Sequence, residues 1–253
     1  MSDDEKLPFT VHLEELRRRL IICFSAIGVG FVICYIFSRR LFEILMMPLL
    51  SAMPPEEKLI YTGLPEAFFT YLKVAFLAGV LLAIPIIMYQ LWMFIAPGLY
   101  DKEKRFALPI VFLSSVFFVG GALFGYFVVF PFGFKFFMGF SSDYVRPLPS
   151  MKEYLGFSAK LLFAFGIVFE LPLFITFLAK LGIVDVPFLK AKRKYAILLF
   201  FVFASILTPP DVITQILMAG PLILLYEVSI IGARVFGRKA AKKDVEEPQE
   251  SAG

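Results

Sequence analysis

Charged residues along this chain gather into short clusters, and the stretches between them are almost wholly apolar. Neither the strict alternation of a half-buried strand nor the one-sided stripe of a soluble helix describes those stretches. They are apolar all round, as a helix is when hydrocarbon surrounds it. A bilayer core about 30 Å thick needs ~20 residues of helix. Runs near that length predict six spans, near 20–38, 68–94, 107–130, 155–179, 196–208 and 213–232. The fifth is short: Ala196 to Thr208 makes roughly 20 Å of helix, and "TPPD" at 208–211 stops it because proline cannot continue the ladder. The first run follows "RRR" but is longer than the ~7–15 residues of a signal-peptide core, and no small-x-small cleavage site follows it, so it is expected to stay as an anchor.

Composition agrees with a bilayer. Of 253 residues 59% are hydrophobic and 32 are Phe, with a mean hydropathy of +0.82, against about 45–50% apolar in a soluble domain. Cys23 and Cys34 sit in one helical run, roughly 16 Å apart, and cannot pair with each other. The distribution of basic residues adds orientation: residues 1–19, 95–106, 180–195 and 233–253 hold 17 Lys and Arg, while 39–66, 131–154 and 209–212 hold 6. The positive-inside rule therefore predicts both termini in the cytoplasm. Lys73 and Lys160, within spans, lie close enough to an outer end to snorkel. On the outer side, "LFEILMMPLL" and "FPFGFKFFMGF" read as helices lying in the interface. Residues 1–236 form one membrane domain, and 237–253, charged and small, a disordered cytoplasmic tail.

Several chemistries are excluded. His12 is the single histidine and precedes the first span, so neither a histidine metal cluster nor a buried Ser/His dyad can form. No nucleotide fingerprint follows a strand, and the basic residues punctuate apolar runs where a nucleic-acid face would gather them. No enzyme activity, cofactor, metal or nucleic acid is expected.

Four stretches carry polar groups that need an account. In "HLEELRRRL", Glu14 with Arg18 and Glu15 with Arg19 are i,i+4 pairs on a juxtamembrane helix; equally, one carboxylate could face an incoming cationic segment, and periodicity does not choose between the two acids. In "WMFIAPGLYDKEKR", Pro97-Gly98 breaks the helix, Trp92, Phe94 and Tyr100 sit as an aromatic belt would, and Glu103 stands in a charge run. In "FGIVFELPL", Glu170 is alone in an apolar span, with Pro172 expected to free the carbonyl of Val168 and kink the helix there. An ionisable group at that depth pairs, faces a polar interior or binds something. In "LTPPDVITQ", Thr208 and Gln215 either dock another helix or belong to a tight turn.

Taken in order, "HLEELRRRL", "FIAPGLYDKEKR", "FFVGGALFGYFVVFP", "FGIVFELPL" and "LTPPDVITQ" resemble the TatC family, the multispanning receptor subunit of the twin-arginine protein translocase, over residues 8 to 236. The resemblance implies an all-α integral membrane protein, six helices in a concave bundle, in a bacterial cytoplasmic (inner) membrane. It implies that Glu15 and Glu103 receive the paired arginines of a signal peptide on a folded precursor, with Arg17 and Phe94 beside them. It implies docking of single-span partner subunits of the TatA/TatB type at Glu170, Thr208 and Gln215, in an oligomeric complex driven by the proton-motive force. The chemistry fits: a guanidinium offers a planar fork for bidentate bonding to a carboxylate, and an ammonium does not. Two rival readings remain at this point, an ion-coupled small-solute carrier using Glu170 and a passive scaffold for other membrane subunits.

Overall fold

The computed structural model describes residues 6–54, 59–95, 107–140, 147–208 and 211–237, and its regular elements there are helices, with one isolated backbone bridge between Ile60 and Ser150. In chain order they are α1 (Lys6–Ile36), α2 (Ser38–Leu50), α3 (Glu66–Ile95), α4 (Ala107–Phe124), a π-helical turn (Gly125–Val129), α5 (Phe130–Met138), α6 (Met151–Phe169), α7 (Leu171–Lys180), α8 (Val186–Leu207) and α9 (Val212–Phe236). Five stretches are long and apolar enough to cross a membrane: Val11–Ile36, Glu66–Ile95, Leu108–Met138, Met151–Lys180 and Val212–Phe236. They match five of the six runs expected. The short fifth run forms the second half of α8, whose first half carries Lys190, Lys192, Arg193 and Lys194. The charged tail from 239 and the Tyr100–Glu103 turn lie outside the described residues.

Two expectations change in detail. "LFEILMMPLL" is helical in α2, with Phe42, Leu45 and Leu49 buried against the bundle. "FPFGFKFFMGF" does not form a separate element: α4 runs through the π turn into α5, so the third span is one helix to Met138. The proline at 131 follows directly on the π turn, at the start of α5.

Packing follows small residues and rings. α1 rests on α3, α3 on α4 and α6, α4 on α6, α8 on α9, and α7 on α9. Gly30 and Gly79 bring α1 and α3 together so closely that a Cβ at Gly30 would sit 2.6 Å from the Gly79 carbonyl oxygen, and one at Gly79 2.6 Å from the Phe31 nitrogen. Such contact between backbones is how helices associate where lipid is as apolar as the side chains. Fully buried Phe130, Phe165, Leu155, Leu161, Met218 and Leu222 form the main core. A second cluster, Ile84, Met88, Trp92, Val111, Phe118 and Phe177, joins α3, α4 and α7 near one end.

Contacts tell which termini share an end. Arg19 of α1 meets Gln90 of α3, and Trp92 of α3 packs edge-on against Phe177 of α7. Tyr226 of α9 donates to the Leu189 carbonyl near the start of α8. The starts of α1 and α8 and the ends of α3, α7 and α9 therefore meet at one end of the bundle.

At the opposite end, Glu66 ties two loops. Its carboxylate accepts from the Thr62 and Gly63 N–H groups (2.9 and 3.3 Å), the Ser150 hydroxyl (2.7 Å) and the Lys152 N–H (3.1 Å). It thus satisfies donors at the beginnings of α3 and α6, where helices leave N–H groups unpaired.

Candidate functional site

Two groups of polar side chains stand out, one at the end bearing the start of α1 and one inside the bundle. At the first, Glu15 and Arg19 lie one turn apart on α1. Arg19 Nε donates to Glu15 Oε1 (3.0 Å), and its Nη1 to Gln90 Oε1 on α3 (3.2 Å). Arg19 thus anchors Glu15 across the α1–α3 contact, while Glu15 Oε2 takes no hydrogen bond among the described residues. The pair keeps partial access to its surroundings, with 18% of the Arg19 and 32% of the Glu15 side chain exposed, so the ion pair itself adds little stability. Glu14 and Arg17 are exposed. The two acids that periodicity could not separate differ among the described residues: Glu15 is held by Arg19, and Glu14 is exposed with no partner there.

One turn towards the N-terminus, His12 stacks on Phe94, ring centroids 4.4 Å apart and planes 19° from parallel. Glu15 and Phe94 therefore both lie at the junction of α1 and the end of α3, while Arg17, two residues after Glu15, is exposed about 200° round the helix from it. Glu103, the second acid expected here, lies outside the described residues.

The second group centres on Glu170. α6 stops at Phe169 and α7 begins at Leu171, with Glu170 the single residue between and Pro172 in the first turn of α7. The expected break is present, but the expected free carbonyl is not. Backbone N–H groups at the cap donate to the carbonyls of Ile167 and Val168, so a tightened last turn takes up the group that Pro172 would have stranded. The polar point is the carboxylate itself. Ser114 Oγ on α4 donates to Glu170 Oε2 (2.8 Å) and accepts from Trp92 Nε1 on α3 (2.7 Å). Glu170 Oε1 is buried and has no partner among the described residues.

Sequence reading had set Trp92 in an aromatic belt, and that is corrected: its ring is buried, edge-on to Phe177 at 4.8 Å, with its N–H committed to Ser114. Ser114 was missed, as was Gln90. The signal for Ser114 was available, since "FLSSVF" puts two hydroxyls mid-span. Ser115 differs in returning its hydrogen bond to the Val111 carbonyl of its own helix (2.8 Å).

Thr208 and Gln215 both bond carbonyls of α8, Thr208 at its end and Gln215 about two turns further in. Thr208 is buried and its hydroxyl donates to the Ala204 carbonyl (3.0 Å). Gln215 on α9 donates its amide to the Phe201 carbonyl on α8 (3.0 Å). Asp211 caps α9 by accepting the Thr214 N–H (2.7 Å), an N-cap that sequence reading left unassigned. Among the described residues, no hydrogen bond joins either residue to Glu170, so the docking set divides into an internal carboxylate and a terminal hairpin. No three His, Cys, Asp or Glu side chains among the described residues gather as metal ligands.

This arrangement can be compared with known proteins. The family model described as "Sec-independent protein translocase protein (TatC)" matches residues 11–221. The chain belongs to the TatC family. The Sec-independent protein translocase protein TatC of Desulforapulum autotrophicum is 62% identical over 99% of this chain and 92% of its own length. That of Magnetococcus marinus is 50% identical over 96% of this chain and 90% of its own. A crystal structure of a twin-arginine translocase receptor TatC superposes with a TM-score of 0.80 at 42% identity, covering 90% of this chain and all of that one. As a TatC, the chain is a multi-pass membrane protein and a component of twin-arginine protein translocation.

Proposed function

We propose that this chain is the receptor of the twin-arginine pathway: it binds the signal peptides of folded precursors at the Glu15 end and docks single-span TatA/TatB-type subunits on Glu170, Thr208 and Gln215. It does so in a bacterial inner membrane as a six-span subunit with both termini in the cytoplasm, within an oligomeric complex driven by the proton-motive force. The observation that carries this reading is the state of Glu15. Its carboxylate is held by Arg19, which Gln90 anchors in turn, and is partly exposed, with Oε2 taking no donor among the described residues. A carboxylate has about four lone-pair sites, so an incoming guanidinium can use the open oxygen without displacing Arg19.

Glu103 supplies the second acid from the segment joining α3 to α4, and Phe94, one residue before the end of α3, presents an apolar edge beside the pair. A fork-shaped guanidinium gains two bonds at such a carboxylate where an ammonium gains one. The hydrophobic stretch behind the arginines then lies along the bundle and adds apolar contact.

Inside the bundle, the unpartnered Glu170 oxygen supports docking of a helix that carries its own donor, because a polar group buried in an apolar setting is costly until it is paired. Ser114, itself held by Trp92, donates to the other oxygen and so aims the carboxyl. The test is binding of a synthetic twin-arginine signal peptide to the detergent-solubilised protein, compared with its twin-lysine version. Glu15→Ala and Glu103→Ala should each weaken the arginine peptide by roughly tenfold to a hundredfold, the scale of a charged hydrogen bond. Equal binding of the two peptides by the unaltered protein would refute the reading.

A further inference from the structure

We propose that the first turns of α8 form a docking site for the headgroup of an anionic phospholipid. The α9-facing side of α8 is fixed by Leu189, whose carbonyl receives the Tyr226 hydroxyl (2.9 Å), by Arg193, paired with Glu227 (2.8 Å), and by Phe200, edge-on to Tyr226. At 100° per residue, the opposite arc is centred near Tyr195, with Lys192 about 60° from it on one flank, Lys194 about 100° away on the other, and Lys190 about 140° away at the edge of the arc. All three lysines are exposed, as are Phe188 and Tyr195. Among the described residues, the fourth cation, Arg193, is the one engaged with an acid.

The aromatic rings gather the ammonium groups. Lys192 Nζ lies 5.4 Å from the centroid of Tyr195 and 5.9 Å from that of Phe188, and Lys194 Nζ lies 5.2 Å from Tyr195. The result is a cationic cradle around an aromatic ring of the kind that sits at headgroup depth. Directly below, on the same arc, Leu198, Leu199 and Val202 are exposed. Cations above and an uncovered apolar strip beneath suit a ligand with a phosphate and acyl chains, whereas an acidic soluble ligand would use the lysines alone. The inference rests on the chain spanning a membrane and is independent of the arginine-binding reading.

The probe is phosphatidylglycerol against phosphatidylcholine of the same chains, titrated into the full-length protein in neutral detergent and read by native mass spectrometry. The protein should prefer phosphatidylglycerol. Replacing Lys190, Lys192 and Lys194 by Gln should remove that preference, a loss on the order of a hundredfold at about fivefold per cation. Replacing the same three by Arg should keep it, which separates charge from folding. Gln at Arg39, Lys135 and Lys152, exposed at the other end, removes the same charge and should leave it unchanged. The proposal is overturned if the unaltered protein binds the two lipids equally, if the second set of Gln changes costs as much as the first, or if glycerol 3-phosphate or an acidic peptide binds the cradle as tightly as the lipid.

Discussion

At the residue scale, Ser114 is the pivot between two buried groups that would otherwise be stranded. It accepts from Trp92 and donates to Glu170, and it is itself fully buried. A hydroxyl can do both at once, which no apolar residue of similar size can. Ser114→Ala should therefore cost about 1–3 kcal/mol for each group left unsatisfied, seen as a lower unfolding temperature in detergent, and should reduce co-purification of a single-span partner. Trp92→Phe removes only one of the two bonds and should cost less. Ser114→Thr keeps the hydroxyl and should restore both stability and assembly. If partner assembly survives Ser114→Ala intact, the hydroxyl does not aim the carboxylate.

At the element scale, α2 contains Pro48, which lacks the N–H that would pair with the carbonyl of Ile44. Tyr126, in the π turn, supplies the missing donor: its hydroxyl bonds that carbonyl. Tyr154 of α6 also donates to an α2 carbonyl, that of Leu45. The proline and the tyrosines thus fasten α2 to the bundle. Tyr126→Phe should destabilise by about 1 kcal/mol or somewhat more, and adding Pro48→Ala should recover part of the loss by returning an N–H to Ile44. A double-mutant cycle read by thermal unfolding checks this, and strict additivity would disprove the link. The α1–α3 contact behaves differently because backbones touch. Gly79→Ala forces a Cβ to within 2.6 Å of the Phe31 nitrogen, so α1 must move. A loss of about 1–3 kcal/mol is expected, together with weaker signal-peptide binding, since Arg19 and Gln90 bridge those same helices.

At the scale of the whole molecule, the two ends differ in construction. One end gathers Glu15, Arg19, Phe94 and the α8 lysines, with side chains still open to partners. The other is closed on itself by Glu66, which binds donors from both loops, and by the Ile60–Ser150 bridge, in which Ile60 N–H meets the Pro149 carbonyl at 3.1 Å and Met151 N–H meets the Ile60 carbonyl at 2.9 Å. Glu66→Ala should loosen that closure, giving faster proteolytic cleavage in the segment between α2 and α3. It should leave signal-peptide affinity unchanged, because the proposed binding end is built from other contacts. A parallel fall in peptide affinity would mean that the ends are coupled.

Much of this was legible beforehand, for stated reasons. Length and all-round apolarity place the helices, and proline places the breaks at Thr208 and beside Glu170, because both follow from local chain geometry. Glu15 and Glu170 were visible as carboxylates next to or within apolar runs. Their partners were not: Ser114 lies 56 residues from Glu170, and Gln90 lies 71 from Arg19. A helix apolar on every side carries no periodicity to say which face meets which, and lipid gives no hydrophobic reason for helices to prefer one another. Sequence alone thus determined which segments enter the membrane and which residues are costly there. The tertiary structure decided which of them meet, because that choice rests on close backbone approach at Gly30 and Gly79 and on the few hydrogen bonds that satisfy buried polar groups.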